Sequence, residues 1–243
     1  RQVLGGMVGE YEKEAPDKEH EGQKIIVKKY GLKAYCPIAE GFGYSHYDDF
    51  GDSRSYGYRR RHLGNDLLGA IGTPIVAVEG GVVEAYGWNQ YGGWRLGIRS
   101  FDGKRSYYYA HLRKGHPYQT GIKLGSKVKA GQVIGYLGST GYSTKEDNNG
   151  MTQPHLHIGL QLIFDESQKE GINQIWLNLY PLIELLNRNK ATVVRDEDSK
   201  EYFRKYDIFD PAYPKEMQEK PKTTVPPPTT APPATTQAQA SAA

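Results

Sequence analysis

The sequence predicts a mostly β protein with helices near its C-terminal end. Three observations carry that reading. From Pro37 to Phe164 the chain is rich in Gly, Tyr, Val and Ile and is broken by frequent turn residues, the pattern of short strands joined by tight turns. Asp102-Gly103 lies between two strand-like runs, Arg95 to Ser100 and Lys104 to His111. Both turn positions tolerate positive φ, which makes the pair a strong hairpin signal. Finally, Leu156, Ile158, Leu160 and Leu162 alternate with His155, His157, Gly159 and Gln161. A period of two sends one face into a core and the other to a groove or solvent.

The remaining elements follow in chain order. Residues 1–35 are a mixed N-terminal segment. Glu10 to Glu21 is dense in charge and is expected on the surface, and Ile25-Ile26-Val27 suits an edge strand. Pro74 to Val78 and Gly81 to Ala85 read as short strands separated by Glu79-Gly80, and Val128 to Leu137 as two short strands around a glycine turn. Tyr142 to Gln153 is a long polar connection, expected to be a flexible loop walling a groove. Asn173 to Asn187 places apolar residues near 3.6 spacing, which predicts a helix started or kinked by Pro181. Asp198 to Tyr206 reads as another short helix. The last 25 residues, Glu219 to Ala243, hold 6 Pro, 6 Thr and 6 Ala. Such a segment buries too little apolar surface to offset its ordering entropy, so a disordered tail is expected. The organisation is therefore 1–35, a main domain over 36–165, a helical extension over 166–218, and the tail over 219–243.

Composition limits the function. The chain has 243 residues, 37% hydrophobic and 24% charged, with a formal net charge of +3. That charge is too small to argue for nucleic acid, which usually needs a concentrated basic face. No run approaches the roughly 18 to 20 apolar residues of a membrane span. The single cysteine, Cys36, excludes an internal disulfide framework and a cysteine-based zinc cluster. Because the chain starts at Arg1, a processed start is expected, with room for a signal or anchor upstream.

The histidines carry the chemistry. His155 and His157 project from one face of a strand with backbones about 6 to 7 Å apart, close enough to converge on one metal. His62 and Asp66 form an H-x-x-x-D pair. A straight strand would separate them by roughly 13 Å, so the backbone must bend, and Gly64-Asn65 permits a bend. Tyr107, Tyr109 and His111 share one face in the hairpin register. His, Asp and a paired His-x-His, with a further His on another strand, can supply three protein ligands and an open position, the arrangement of a catalytic zinc site.

The set His62/Asp66, "YAHL" with His111 and "PHLH" with His155 and His157 resembles the lysostaphin-type (LytM-like) zinc metallopeptidases, which cleave peptide bonds in bacterial peptidoglycan. "GTPIVAVEGGVVE" and "VKAGQVIGYLGSTG" match as well. The resemblance spans about Phe42 to Ile163. It implies a compact antiparallel β core, of duplicated-hybrid or barrel-sandwich type, with a groove over one Zn²⁺. It implies His62, Asp66 and His157 as metal ligands and His111 and His155 as catalytic histidines. A tyrosine shortly before the first ligand, Tyr56 in preference to Tyr58, would assist. The implied substrate is a peptidoglycan stem peptide or cross-bridge, met outside the cytoplasm, with room for an envelope protein partner. The competing reading is a non-catalytic envelope scaffold on the same fold. Degenerate family members lack zinc or catalytic residues, and all five are present here.

Overall fold

The computed structural model describes residues 4–220 apart from Glu170 and Ile172. Strands make up 41% of the chain and helical segments 7%. The main sheet is antiparallel, and its strands run in the spatial order Lys127–Val128, Gly81–Asn89, Gly93–Ser100, Arg105–Ala110, His155–Leu162, Asn65–Gly69 and Tyr44–His46. The short Ile175–Leu177 strand pairs alongside the far end of His155–Leu162. The Asp102-Gly103 hairpin forms as the sequence predicts, with Ser106 opposite Arg99 and Gly103 at φ 74°.

One face of this sheet is the core. Leu67, Leu96, Ile98, Tyr107, Tyr109, Leu156, Ile158 and Leu160 are buried with Ile38, Ile75, Ile134 and Leu137 in one apolar cluster. Each such aliphatic side chain contributes about 1.5 to 3 kcal/mol on leaving water. The opposite face is free to carry polar groups. Val128 to Leu137 does hold two short strands, but they do not pair with each other. Lys127–Val128 pairs with Gly81–Val82, and Val133–Tyr136 with Pro74–Val76. Gly131, at the turn between them, packs against the Tyr35 ring.

One region lies at the surface as expected but is paired more fully than the sequence suggests, and another differs from expectation, both for identifiable reasons. The charged run near the N-terminus is a central strand, Val8–Pro16, paired on one side with Lys24–Leu32 and on the other with Ile208–Phe209. Its charges are accommodated by partners: Glu12 opposes Lys28, and Glu14 accepts from Lys24 Nζ at 2.8 Å and Asp207 N at 2.9 Å. The C-terminal helices reduce, among the described residues, to one seven-residue α-helix, Tyr180–Leu186, and short 3₁₀ turns. Pro181 does start that helix. Ahead of it, Ile175–Leu177 is captured as a strand by the sheet edge. Asp198 to Tyr206 is not a helix, because Tyr202–Arg204 pairs with Val193–Arg195 as a hairpin. The expected disordered tail lies almost wholly outside the described residues. No helix among the described residues is long and apolar enough to cross a membrane.

Candidate metal centre

The polar face of the sheet forms the floor of an open cleft of about 650 Å³, and His62, Asp66, His111, His155 and His157 all line it. None of residues 4–53 lines it, so the N-terminal sheet does not block the cleft.

The backbone explains how distant residues meet. Asp66 stands directly opposite His157 in the ladder between Asn65–Gly69 and His155–Leu162. His62 precedes that strand and must fold back over it, so Leu63-Gly64 runs against the neighbouring strand. A Cβ on Gly64 would lie 2.5 Å from the Ile158 carbonyl oxygen and 2.7 Å from the His157 ring. Only glycine fits there. Gly64→Ala is therefore expected to push the His157 ring aside. It should weaken metal binding roughly 10- to 100-fold, as outer-shell changes do, and destabilise the fold by about 1 to 3 kcal/mol. Competition with a chromophoric chelator and a thermal melt would test this, and unchanged affinity would count against it.

Three donor atoms form a nearly equilateral triangle. His62 Nε2 is 2.8 Å from His157 Nδ1, and Asp66 Oδ1 is 3.1 Å from each. A tetrahedral zinc with bonds of about 2.0 to 2.2 Å sets its ligands roughly 3.3 to 3.5 Å apart. The N₂O donor set thus fits that ion after small outward shifts. Burial disfavours the charged form of Asp66, but hydrogen bonds from His157 and His62 outweigh it and hold the carboxyl well below its usual range. Burial likewise opposes a charged His62, yet the Asp49 and Asp66 carboxylates prevail and lift its pKa to about 9. Burial keeps His157 below the ordinary imidazole value.

Residues 60–170 match peptidase family M23. This segment is a peptidase M23 domain. It is 44% identical over 124 residues to the L-Ala–D-Glu endopeptidase of Bacillus subtilis, covering 51% of this chain and 36% of that protein. It is 42% identical over 98 residues to lysostaphin of Staphylococcus simulans, covering 40% of this chain and 17% of that one. The chain thus spans about a third or less of the length of these relatives. A solved LytM structure from Ruminococcus gnavus superposes with a TM-score of 0.52 at 30% identity, over 65% of this chain and 61% of that one. Peptidases of the family are zinc-dependent.

The other two cleft histidines of the M23 domain are oriented by backbone carbonyls. His111 Nδ1 donates to Thr140 O at 2.7 Å and His155 Nδ1 to Gln153 O at 2.8 Å. Each contact places a proton on Nδ1 and leaves Nε2 as the ring nitrogen turned away from the backbone. That of His155 is buried without a hydrogen-bond partner among the described residues, 3.8 Å from Asp66 Oδ1. The two rings lie 4.6 Å apart. Burial, reinforced by the neighbouring His155 and His157, pushes the His111 pKa down to about 3.

His111 reaches the cleft by a route that strand alternation does not allow. Tyr107 and Tyr109 share a face as expected, but that face is the core: Tyr107 donates to Glu79, and the Tyr109 hydroxyl accepts from Val78 N at 3.0 Å. Tyr108 occupies the cleft face instead, its ring 5.8 Å from that of His157. The strand ends at Ala110, and His111 adopts φ 59°. This left-handed conformation costs about 1 to 2 kcal/mol and places the imidazole on the Tyr108 side.

Tyr56 stands one ring away from the histidines. It is stacked on Tyr142 at 4.7 Å and 2°, and Tyr142 in turn meets the His111 ring edge-on at 5.8 Å. Tyr142 belongs to the long polar loop, which does wall the cleft, through Tyr142 and Met151. That loop is anchored: Asp147 Oδ1 accepts from Trp94 Nε1 and Gly115 N, both at 2.8 Å. His46 lies away from the cleft, its ring 4.6 Å from that of Tyr180.

Sequence reasoning did not find the residues that hold the ligands. His62 Nδ1 is 3.0 Å from Asp49 O and 3.2 Å from Asp49 Oδ2, acceptors for an Nδ1 proton that turn Nε2 toward the triangle. Arg54 bridges Asp49 Oδ2 at 3.0 Å and Asp66 Oδ2 at 3.2 Å, so Asp66 keeps Oδ1 for the triangle. Asn65 ties the ligand strand to Leu179, just ahead of the helix, by accepting its N–H at 2.8 Å. Tyr47-Asp48-Asp49 is visible in the sequence, but no spacing rule links it to His62.

Proposed function

We propose that this chain is a zinc-dependent endopeptidase that hydrolyses peptide bonds in bacterial peptidoglycan, in stem peptides or cross-bridges, outside the cytoplasm. His62, Asp66 and His157 hold one ion, and His111 and His155 are the catalytic histidines. The observation that carries this reading is the three-donor triangle on the floor of an open cleft, with two carbonyl-oriented imidazoles beside it. Relatives named for L-Ala–D-Glu and glycyl-glycine cleavage support the substrate class.

When bound, zinc supplies a water of lowered pKa, near 7 instead of about 15.7, and polarisation of the scissile carbonyl. The chain does the rest. The open cleft admits an extended peptide across the sheet floor. An imidazole Nε2, of His155 or His111, takes the proton of the attacking water. It then delivers that proton to the leaving nitrogen as the C–N bond breaks, giving a carboxylate and an amine. The carbonyl contacts on both Nδ1 atoms hold the rings in the tautomer this requires. Tyr142, braced by Tyr56, closes the wall beside His111.

Purified peptidoglycan fragments incubated with the protein should yield new free amines and shortened peptides by mass spectrometry. Chelator should abolish them and added zinc restore them. Absence of products from zinc-loaded protein across several cross-bridge types would overturn the reading.

A further inference from the structure

Five cationic side chains line the cleft, Arg54, Arg60, Arg61, Arg95 and Lys169, against a single carboxylate, Asp66. Most of these cations are already engaged. Arg54 is bound to Asp49 and Asp66, and Lys169 pairs with Glu84. Arg60 donates to the Tyr142 hydroxyl and to Tyr56 O and lies over the rings of Tyr58, Tyr91 and Tyr142. Arg61 is exposed at the rim. Arg95 is different. It is half-buried on the floor, its Nε is shut off from solvent, and among the described residues its guanidinium has no hydrogen-bonding or ionic partner.

Its position is fixed by register. Leu96 opposes Tyr109, so Arg95 stands level with Ala110, and Ala110 opposes His157. Arg95 is therefore two strands from His157 across the floor, about 10 Å between backbones. Apart from the Tyr108 ring, opposite Gly97, the floor around it is built of small residues: Ala85, Gly97, Ser106 and Ala110 also line the cleft. These leave a trough in which a ligand can lie against the guanidinium. A half-buried cation without a counter-charge is costly in the free protein. A carboxylate supplied by the substrate removes that cost and matches the planar fork of arginine.

We propose that Arg95 is a specificity residue that recognises a free carboxylate of the substrate peptide, within about two residues of the bond to be cut. The cleft thereby selects acidic peptides over uncharged ones. This rests on the hydrolase reading for the position of the bond, but not for the binding itself. The carboxylate belongs either to a side chain or to the chain end.

Three forms of acetyl-Gly-L-Ala-D-Glu-Gly separate these. One has the side-chain carboxylate free and the end amidated, one has the side chain amidated and the end free, and one has both amidated. Calorimetric titration of the zinc-loaded full chain should show one monoanionic form binding roughly 10- to 100-fold more tightly than the neutral form. The preferred form identifies the source of the carboxylate. Arg95→Gln should abolish the preference without changing affinity for the neutral peptide, metal content or melting temperature, and Arg95→Lys should retain part of it. In cleavage assays the same loss should appear in KM for the acidic peptide, with kcat nearly unchanged. Equal binding of all three forms, or no binding of any, overturns the inference. So does a preference that survives Arg95→Gln, which would belong to the metal. Failure of both variants to fold would make Arg95 structural and also overturn it. Cleavage without discrimination sinks this inference alone, whereas Arg95-dependent binding without cleavage sinks the hydrolase reading alone.

Discussion

Replacing His157 with alanine is expected to remove metal binding and hydrolysis together. His157 supplies one corner of the donor triangle, with 2.8 Å and 3.1 Å edges to His62 and Asp66. Without it two donors remain, too few to hold a catalytic zinc with an open position. Affinity should fall by more than the roughly 100-fold upper figure for outer-shell partners. Hydrolysis should fall about 10³-fold or more, since the ion is worth several kcal/mol to the transition state. The ladder to Asp66 is backbone-mediated, so the strand itself should survive the substitution. Metal analysis of the purified variant beside a peptide-release assay is the test. A His157→Ala protein that retains stoichiometric zinc would remove His157 from the ligand set.

His111→Ala should give the opposite split: zinc retained and rate lost. His111 is not a corner of the triangle, and its Nδ1 is spent on Thr140 O. On the proposed mechanism the substitution deletes an Nε2 that moves a proton or meets the transition state. That predicts a loss of about 10² to 10⁴ in kcat with little change in metal content. Burial holds the His111 pKa near 3, so this imidazole is neutral from about pH 4 upward. The rate should therefore drop across that whole range with no change in the shape of the pH profile above pH 4. Normal hydrolysis by His111→Ala would refute the assignment.

Much of this was legible in the chain itself. The alternation from His155 to Leu162 already separates a core face from a groove face, because a pleated strand admits no other arrangement. Asp102-Gly103 announces its hairpin through backbone sterics alone. The H-x-x-x-D pair demands a bend, and Gly64 supplies it. What was not legible depended on partners far along the chain. The charged N-terminal run does lie at the surface, but its place as the middle strand of a sheet depends on Lys24–Leu32 and Ile208–Phe209 on either side. The helical periodicity of Asn173 to Asn187 is real, but pairing with His155–Leu162 captures Ile175–Leu177 as a strand. Asp198 to Tyr206 has composition that suits a helix and a neighbour that makes it a hairpin.

The same division runs through the site. Local sequence determined which side chains are candidates for the chemistry, because ligand type and strand parity are properties of a residue and its immediate neighbours. Only the folded molecule decided that His111 turns to the cleft through a left-handed φ, that Asp49 and Arg54 hold the ligands in place, and that Arg95 sits without a counter-charge on the floor. Those facts are distances between segments tens of residues apart. They are set by sheet register and close packing, which no local pattern encodes.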